Sequence, residues 1–317
     1  MNRRRFIKAT AAAGMGLSLD PSLATDVAPL PRRLLGKTGV KLSIVGYGGI
    51  VVIGKSQEHA GRSVARAVED WGINYFDVAP SYGRGEAEEK LGPALQPYRE
   101  ECFLACKTTQ RRAPEAREEL EASLRRLQTD HFDLYQLHAI NDAAAVEEVF
   151  APGGAMETLV QAREAGMVRF LGFSSHGVEA AMAALAAYDF DAVMFPLNYP
   201  LWTQENFGPQ VIGLARARGM GLLAIKVQCR GRWPENVART HPPCGYQPVT
   251  DLAETRLAYS FALTQGVTSV VPPGNEDLFW LGVKAAGYLP TMNRQREQEL
   301  RRLQAQAIPL FRHSSPG

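Results

Sequence analysis

Apolar runs of strand character close near Val45, Asp77, Lys107, His138, Ser174, Pro196, Lys226 and Pro272, and amphipathic helical patterns fill the intervals between them. The predicted helices are Ala60 to Trp71, Glu86 to Leu95, Pro114 to Leu127, Met156 to Ala165, Val178 to Ala187, Pro209 to Arg218, Leu252 to Thr264 and Glu276 to Ala286. Their punctuation agrees: Pro114 stands near a helix start, and Gly72, Gly166, Gly219 and Gly266 follow helix ends. Parallel strands need crossover helices, so eight such units in order predict an α/β fold, a (β/α)8 TIM barrel. The alternative is a doubly wound sheet. That fold usually carries a Gly-rich phosphate turn after its first strand, whereas Gly46-Tyr47-Gly48-Gly49 lacks both the spacing and an immediately following helix.

Three segments fall outside the repeat. Residues Arg32 to Val45 read as a β-hairpin around Lys37-Thr38-Gly39, a cap for the bottom of the barrel. The stretch from Gln228 to Thr250, with Trp233, His241 and Tyr246, is a long loop of the kind that often serves as a substrate-facing lid. Asn293 to Ala307, rich in Arg, Gln and Glu, reads as a solvated C-terminal helix.

Composition narrows the partners. The 317 residues carry 35 Lys plus Arg against 33 Asp plus Glu, which leaves no basic field for a phosphate backbone and argues against nucleic acid. The charge is uneven, because Arg3, Arg4, Arg5 and Lys8 precede a short apolar stretch from Ala9 to Leu19 and the A-x-A-like Ser22-Leu23-Ala24. That order predicts a signal peptide over 1–24 and a single barrel domain over 25–317, and the arginine pair with Phe6, Ile7 and Lys8 resembles the twin-arginine (Tat) export motif. The expectation is Tat export to the periplasm, with the export machinery as a partner and no stable membrane insertion after cleavage; the alternative is a cytoplasmic protein. Four cysteines offer no metal motif. Cys102 and Cys106 are about 13 Å apart along a strand, too far for a bridge, while a Cys229–Cys244 disulfide stays open.

The chemistry sits at strand ends. The carboxyl ends of barrel strands form the active face, so an ionisable residue closing an apolar strand asks for an explanation. Asp77 closes the second strand, with Tyr82 five residues later; Lys107 closes the third and His138 the fourth. Together they place an acid, a phenol, an amine and an imidazole around one mouth. A phenol with pKa near 10 is a poor acid at neutral pH unless a cation stabilises its phenolate, which is the part Lys107 would take, with Asp77 holding Lys107 and His138 orienting a carbonyl oxygen. No side chain donates hydride, so a nicotinamide cofactor would supply it.

At these residues the chain resembles the aldo-keto reductases. The likeness runs over roughly residues 30 to 290 through Leu35 to Gly39, Phe76 to Ala79 with Ser81-Tyr82-Gly83, Ala105 to Thr108, Leu134 to His138, Gly166 to Ser175 and Val271 to Gly274. The resemblance implies a catalytic tetrad of Asp77, Tyr82, Lys107 and His138, with tyrosine as proton donor, and NADP(H) or NAD(H) across the top of the barrel. Cofactor contacts are expected at Ser174, Ser175, Lys226, Gly274, Asn275 and Lys284. The cofactor half departs from the family pattern: Ser174-Ser175 and Met194 stand where Ser-Asn and Gln usually hold the carboxamide, and Ile225 replaces the stacking aromatic. Glu276 and Asp277 follow Gly274 where an Arg or Lys usually meets the 2′-phosphate, so weak discrimination or a preference for NAD(H) is expected. Lys284, Arg230 and Arg232 are candidates to compensate. The implied activity is reduction of an aldehyde or ketone to an alcohol, or the reverse, on a small carbonyl or alcohol substrate. The alternatives are a regulatory cofactor-binding barrel, like the family's potassium-channel β-subunits, and a non-redox barrel chemistry.

Overall fold

A computed structural model describes residues 28–313, apart from 236 and 242–243, so the expected export signal lies outside the described residues. Eight parallel strands form one sheet in sequence order: β3 (Tyr47–Gly48), β4 (Tyr75–Asp77), β5 (Phe103–Thr108), β6 (Phe132–Leu137), β7 (Val168–Ser174), β8 (Ala192–Pro196), β9 (Gly221–Ile225) and β12 (Ser269–Val270). A parallel bridge from Val45 to Val270 joins the two ends, closing the barrel. β1 (Arg32–Leu34) and β2 (Lys41–Ser43) form the antiparallel hairpin anticipated from the sequence.

The hairpin plugs the barrel floor through Leu35 and Leu42, which pack with Tyr75, Phe103, Leu134 and Leu223 from the barrel interior. The approach is close enough to require glycine at position 36: its φ is +51°, and a Cβ there would lie 2.3 Å from the Gly219 carbonyl oxygen. The larger apolar cluster lies between the strands and the outer ring of helices. That ring contains α1 (Gln57–Glu69), α2 (Glu86–Leu95), α3 (Ala113–Leu127), α5 (Ala155–Glu164), α6 (Val178–Ala187), α8 (Pro209–Ala217), α9 (Leu252–Thr264) and α10 (Glu276–Ala286).

Two short helices, α4 (Ala143–Phe150) and α7 (Tyr199–Gln204), are additions to the sequence reading. Each is started by a local cap, Asp142 accepting from the Ala145 amide at 2.8 Å and Asn198 from the Leu201 amide at 2.9 Å. Residues 228–250 are less open than their Gly and Pro content predicts, since β10 (Cys229–Gly231) and β11 (Gln247–Pro248) pair within them. The C-terminal helix is present as α11 (Arg294–Leu303). Beyond it the chain returns to the end of β10, where the amide of Arg232, the residue after the strand, donates to the Ile308 carbonyl at 2.8 Å. The four cysteines are buried and unbridged. No helix among the described residues is long and apolar enough to cross a membrane.

Candidate active site

The carboxyl ends of the strands bring together all four residues expected to carry the chemistry. Asp77 ends β4 and Lys107 lies one strand over on β5, both essentially inaccessible to solvent, and the Lys107 ammonium donates to Asp77 Oδ1. Lys107 Nζ also donates to the Val78 carbonyl at 3.1 Å and to the Tyr82 hydroxyl at 3.4 Å. Tyr82 reaches this position because the chain turns sharply after it: Gly83 has φ +62° and Arg84 φ +56°, both left-handed. The Tyr82 ring meets His138 edge-on, with centroids 5.9 Å apart.

These contacts set the acid–base character of the mouth. Burial raises the Tyr82 phenol above its ordinary value and the Asp77 charge adds to this, while the Lys107 ammonium works in the opposite direction. Burial alone would lower Lys107, yet Asp77 and Tyr82 outweigh it and hold the amine above its ordinary range, so it stays charged. Burial, assisted by Lys107, His176 and Arg111, pushes His138 down to about 3. It is therefore a neutral imidazole at physiological pH, able to hydrogen-bond a carbonyl oxygen, and its Nδ1 is buried without a partner among the described residues.

His138 is held from behind by an arginine from the loop before α3. Arg111 is half-buried and donates to the His138 carbonyl at 2.9 Å and to the Ala139 carbonyl at 3.1 Å. The Ala139 amide donates to Ser174 Oγ at 2.8 Å, with Ala139 itself in a left-handed conformation. An arginine two residues before a helix offers no periodic signal that it will fold back over the next strand end, which is why the sequence did not reveal it.

The cleft above these groups has a volume of about 280 Å³ and is lined on its far side by Ser174, His176, Met194, Ile225, Lys226 and Gly274. Among the residues assigned to cofactor contact, Ser174, Lys226 and Gly274 thus face the cleft, and Ser175, Asn275 and Lys284 are not among its lining. Ser175 Oγ donates to the Gly177 carbonyl and accepts from its amide, both at 3.1 Å, which fixes the entry to α6. Asn275 caps α10, accepting from the Leu278 amide at 3.1 Å, and Lys284 is exposed in its last turn. Glu276 in the first turn of α10 is bound by Lys55 at 3.0 Å and His59 at 2.7 Å. These partners outweigh burial and hold its carboxyl below the usual range. Arg230 is engaged with Glu254 on α9, and Arg232 donates to the Leu310 carbonyl at 3.1 Å, which ties down the C-terminal segment.

Lys226 is the unusual member. It sits just past β9 with φ +63°, a strained conformation for a side chain with a Cβ, and burial lowers its pKa. No carboxylate among the described residues lies within salt-bridge distance of its ammonium, which instead rests 4.8 Å from the centroid of the Tyr246 ring. A cation turned into a cleft without a counter-ion is suited to an anionic ligand group. Beside it, Met194, Ile225 and Val271 make an apolar floor, with the Ser174 hydroxyl at its edge. A flat ring bearing an amide and linked to phosphates fits this donor set.

The same cleft predicts how stability responds to acid. His138 at about 3 and His176 at about 4 both lie below the ordinary histidine value of roughly 6.5. Between those limits the unfolded chain binds protons that the folded chain refuses, so stability falls as pH drops from about 6.5 and the loss is complete below both folded values. His176→Gln is expected to flatten this dependence, measured as the difference in urea midpoint between neutral pH and about pH 4.5. An unchanged difference would contradict the assignment of a half-buried, neutral His176.

A family model described as "Aldo/keto reductase family" matches residues 45–279. The aldo-keto reductase YhdN of Bacillus subtilis is 32% identical over 213 residues, 62% of this chain and 62% of that protein. The aldo-keto reductase yakc [NADP(+)] of Schizosaccharomyces pombe is 26% identical over 298 residues, covering 86% of this chain and 85% of the other. The alignments to several of these curated relatives, YhdN included, span less than two thirds of their length. Among solved structures, the holo form of the aldo-keto reductase AKR11C1 from Bacillus halodurans superposes with a TM-score of 0.67 at 22% identity, over 88% of this chain and 98% of that one. This structural likeness concerns the fold.

Proposed function

Because the chain belongs to the aldo/keto reductase family, we propose that it is a nicotinamide-dependent oxidoreductase that interconverts a small aldehyde or ketone and its alcohol, with Tyr82 as the proton donor. The observation that carries this reading is the Asp77–Lys107–Tyr82 chain at the mouth of the cleft, with the ammonium 3.4 Å from the phenol oxygen. A carbonyl oxygen placed between Tyr82 and His138 is polarised by two neutral donors. As it gains negative charge, Tyr82 transfers its proton to it, and the phenolate left behind is met by the Lys107 ammonium. Asp77 keeps that ammonium charged and in place. Solvent returns a proton to Tyr82 once the alcohol leaves; in the oxidative direction the same groups run in reverse, with the phenolate as base.

A bound nicotinamide supplies the hydride that the protein's side chains cannot. Lys226 would hold a phosphate of the dinucleotide and Ser174 its carboxamide, over the apolar floor of Met194 and Ile225. Glu276 supports weak discrimination between NADH and NADPH or a preference for NADH: it opposes an added phosphate, but Lys55 and His59 already neutralise part of its charge.

Fluorescence titration with NADH and NADPH tests this arrangement. The expected result is binding of both, NADH at least as tightly as NADPH. Lys226→Met should weaken both by about 10- to 100-fold, the worth of one charged hydrogen bond. Equal binding by wild type and variant would remove Lys226 from the cofactor site, and no binding of either nucleotide would remove the oxidoreductase reading altogether.

A further inference from the structure

Below the cleft, the barrel interior holds two polar side chains that the proton-transfer chain does not use. Tyr75 precedes Asp77 by two residues on β4, so the pleat turns both inward. Its hydroxyl donates to Asp77 Oδ2 at 3.1 Å, and Gln136 Nε2 from β6 donates to the same oxygen at 3.3 Å. The other oxygen, Oδ1, faces Lys107. Tyr75 and Gln136 are fully buried and neither lines the cleft.

Gln136 is costly where it stands. Its neighbour Tyr75 packs among the apolar Leu134, Phe103 and Leu223, and Gln136 Oε1 is buried with no partner among the described residues. A methionine would fill the space without an unsatisfied acceptor. The neighbouring strand also makes room for the glutamine: a Cβ on Gly172 would lie 3.3 Å from Gln136 Cγ and 2.8 Å from the Ala192 carbonyl oxygen. Because a carboxylate only accepts, the amide nitrogen must be the end that faces Asp77. Burial and the Asp77 charge keep Tyr75 protonated, so it too is a permanent donor.

We propose that Tyr75 and Gln136 are positioning residues that set the proton-donating strength of Tyr82 by holding and partly neutralising the second oxygen of Asp77. The proposal rests on the reading of Tyr82 as proton donor. Two donors on Oδ2 fix the carboxylate plane with Oδ1 toward Lys107 and disperse its charge. Without them, Asp77 draws the ammonium more strongly to itself, and its field on the phenolate grows. The groups facing Tyr82 are Asp77 with Tyr75 behind it on β4, Lys107 and the neutral Cys106 thiol on β5, His138 after β6, and His176 and Lys226 across the cleft. Asp77 is the single carboxylate among the described residues that line the cleft, so a change in its effective charge has no competitor of the same sign there.

The test uses Tyr75→Phe, Gln136→Met and the double variant. Carbonyl reduction needs the protonated phenol and falls as pH rises through its pKa; alcohol oxidation needs the phenolate and rises through the same value. Both limbs should move to higher pH by about half to one unit in each single variant and further in the double, with kcat reduced and the dinucleotide Kd unchanged. A purely structural role would lower the urea midpoint and leave the limbs in place. Tyrosine labelled with 13C at Cζ, with the Tyr82 resonance assigned through Tyr82→Phe, reads the same ionisation without turnover. A resonance that shifts in the variants of a chain lacking turnover would sustain the proposal while removing the reductase reading. Limbs and resonance that stay where they are in every variant would overturn it.

Discussion

Tyr82→Phe is expected to lower the rate of carbonyl reduction by about 10²- to 10⁴-fold, the usual worth of a positioned general acid, while leaving dinucleotide binding and stability close to wild type. The expectation follows from what the substitution keeps. The ring still meets His138 edge-on and still lies about 5 Å from the Lys107 ammonium, so the packing around the turn at Gly83 is retained. What disappears is the hydroxyl 3.4 Å from Lys107 Nζ, the one phenol among the described residues in contact with that ammonium. Turnover on a panel of small aldehydes, together with nucleotide fluorescence, checks the prediction. A variant that binds nucleotide and reduces aldehydes at the wild-type rate would take Tyr82 out of the chemistry.

Lys107→Met should do more damage to the molecule as a whole. The lysine is completely buried, and its partner Asp77 is 1% exposed, so removing the ammonium leaves a carboxylate in the barrel interior with only Tyr75 and Gln136 to hold it. Breaking a buried pair from one side costs about 3–5 kcal/mol, a large part of the stability of an ordinary domain. Activity should fall as well, because the phenolate of Tyr82 loses its counter-charge. The double variant Asp77→Asn with Lys107→Met separates the two effects: with neither charge present, most of the stability returns, yet the activity does not. Urea denaturation and turnover on the same three proteins provide the comparison. A Lys107→Met single variant as stable as wild type would mean that the pair is solvated, contrary to the burial described above.

How far the sequence revealed this site depends on what hydrophobic periodicity measures. It reports that a segment is buried, and in a parallel barrel both faces of every strand are buried, so the runs are nearly continuous. Their ends are therefore legible and their facing is not. Asp77, Lys107 and His138 were visible because each interrupts an apolar run at its carboxyl end, where the barrel opens. Tyr75 and Gln136 lie within the runs and looked like ordinary strand interior; only the pleat and the neighbouring strands show that they meet at one carboxylate oxygen. The hairpin was legible from its turn. The helices α4 and α7 were not, because each is short and is started by a single capping residue in a segment that also reads as a loop.

Residues paired across long sequence distances were the least accessible. Glu276 looked like a free acidic group, yet its partners Lys55 and His59 lie more than two hundred residues earlier, as the 217-residue separation from His59 shows. Ser175 is expected to contact the cofactor because Ser174-Ser175 stands where the resembled family has Ser-Asn; neighbours on a strand end point in opposite directions, and the Ser175 hydroxyl bonds to Gly177 at the start of α6.

The central claim is hydride exchange coupled to a proton from Tyr82, and its most direct test is stoichiometry. Purified protein is mixed with excess small aldehyde and a limiting amount of NADH, and the loss of reduced-nicotinamide absorbance is compared with the alcohol formed. The account predicts one alcohol for each NADH consumed, with the exchange suppressed in Tyr82→Phe. Nucleotide that binds but is never oxidised, or oxidation that proceeds equally well without Tyr82, would contradict it.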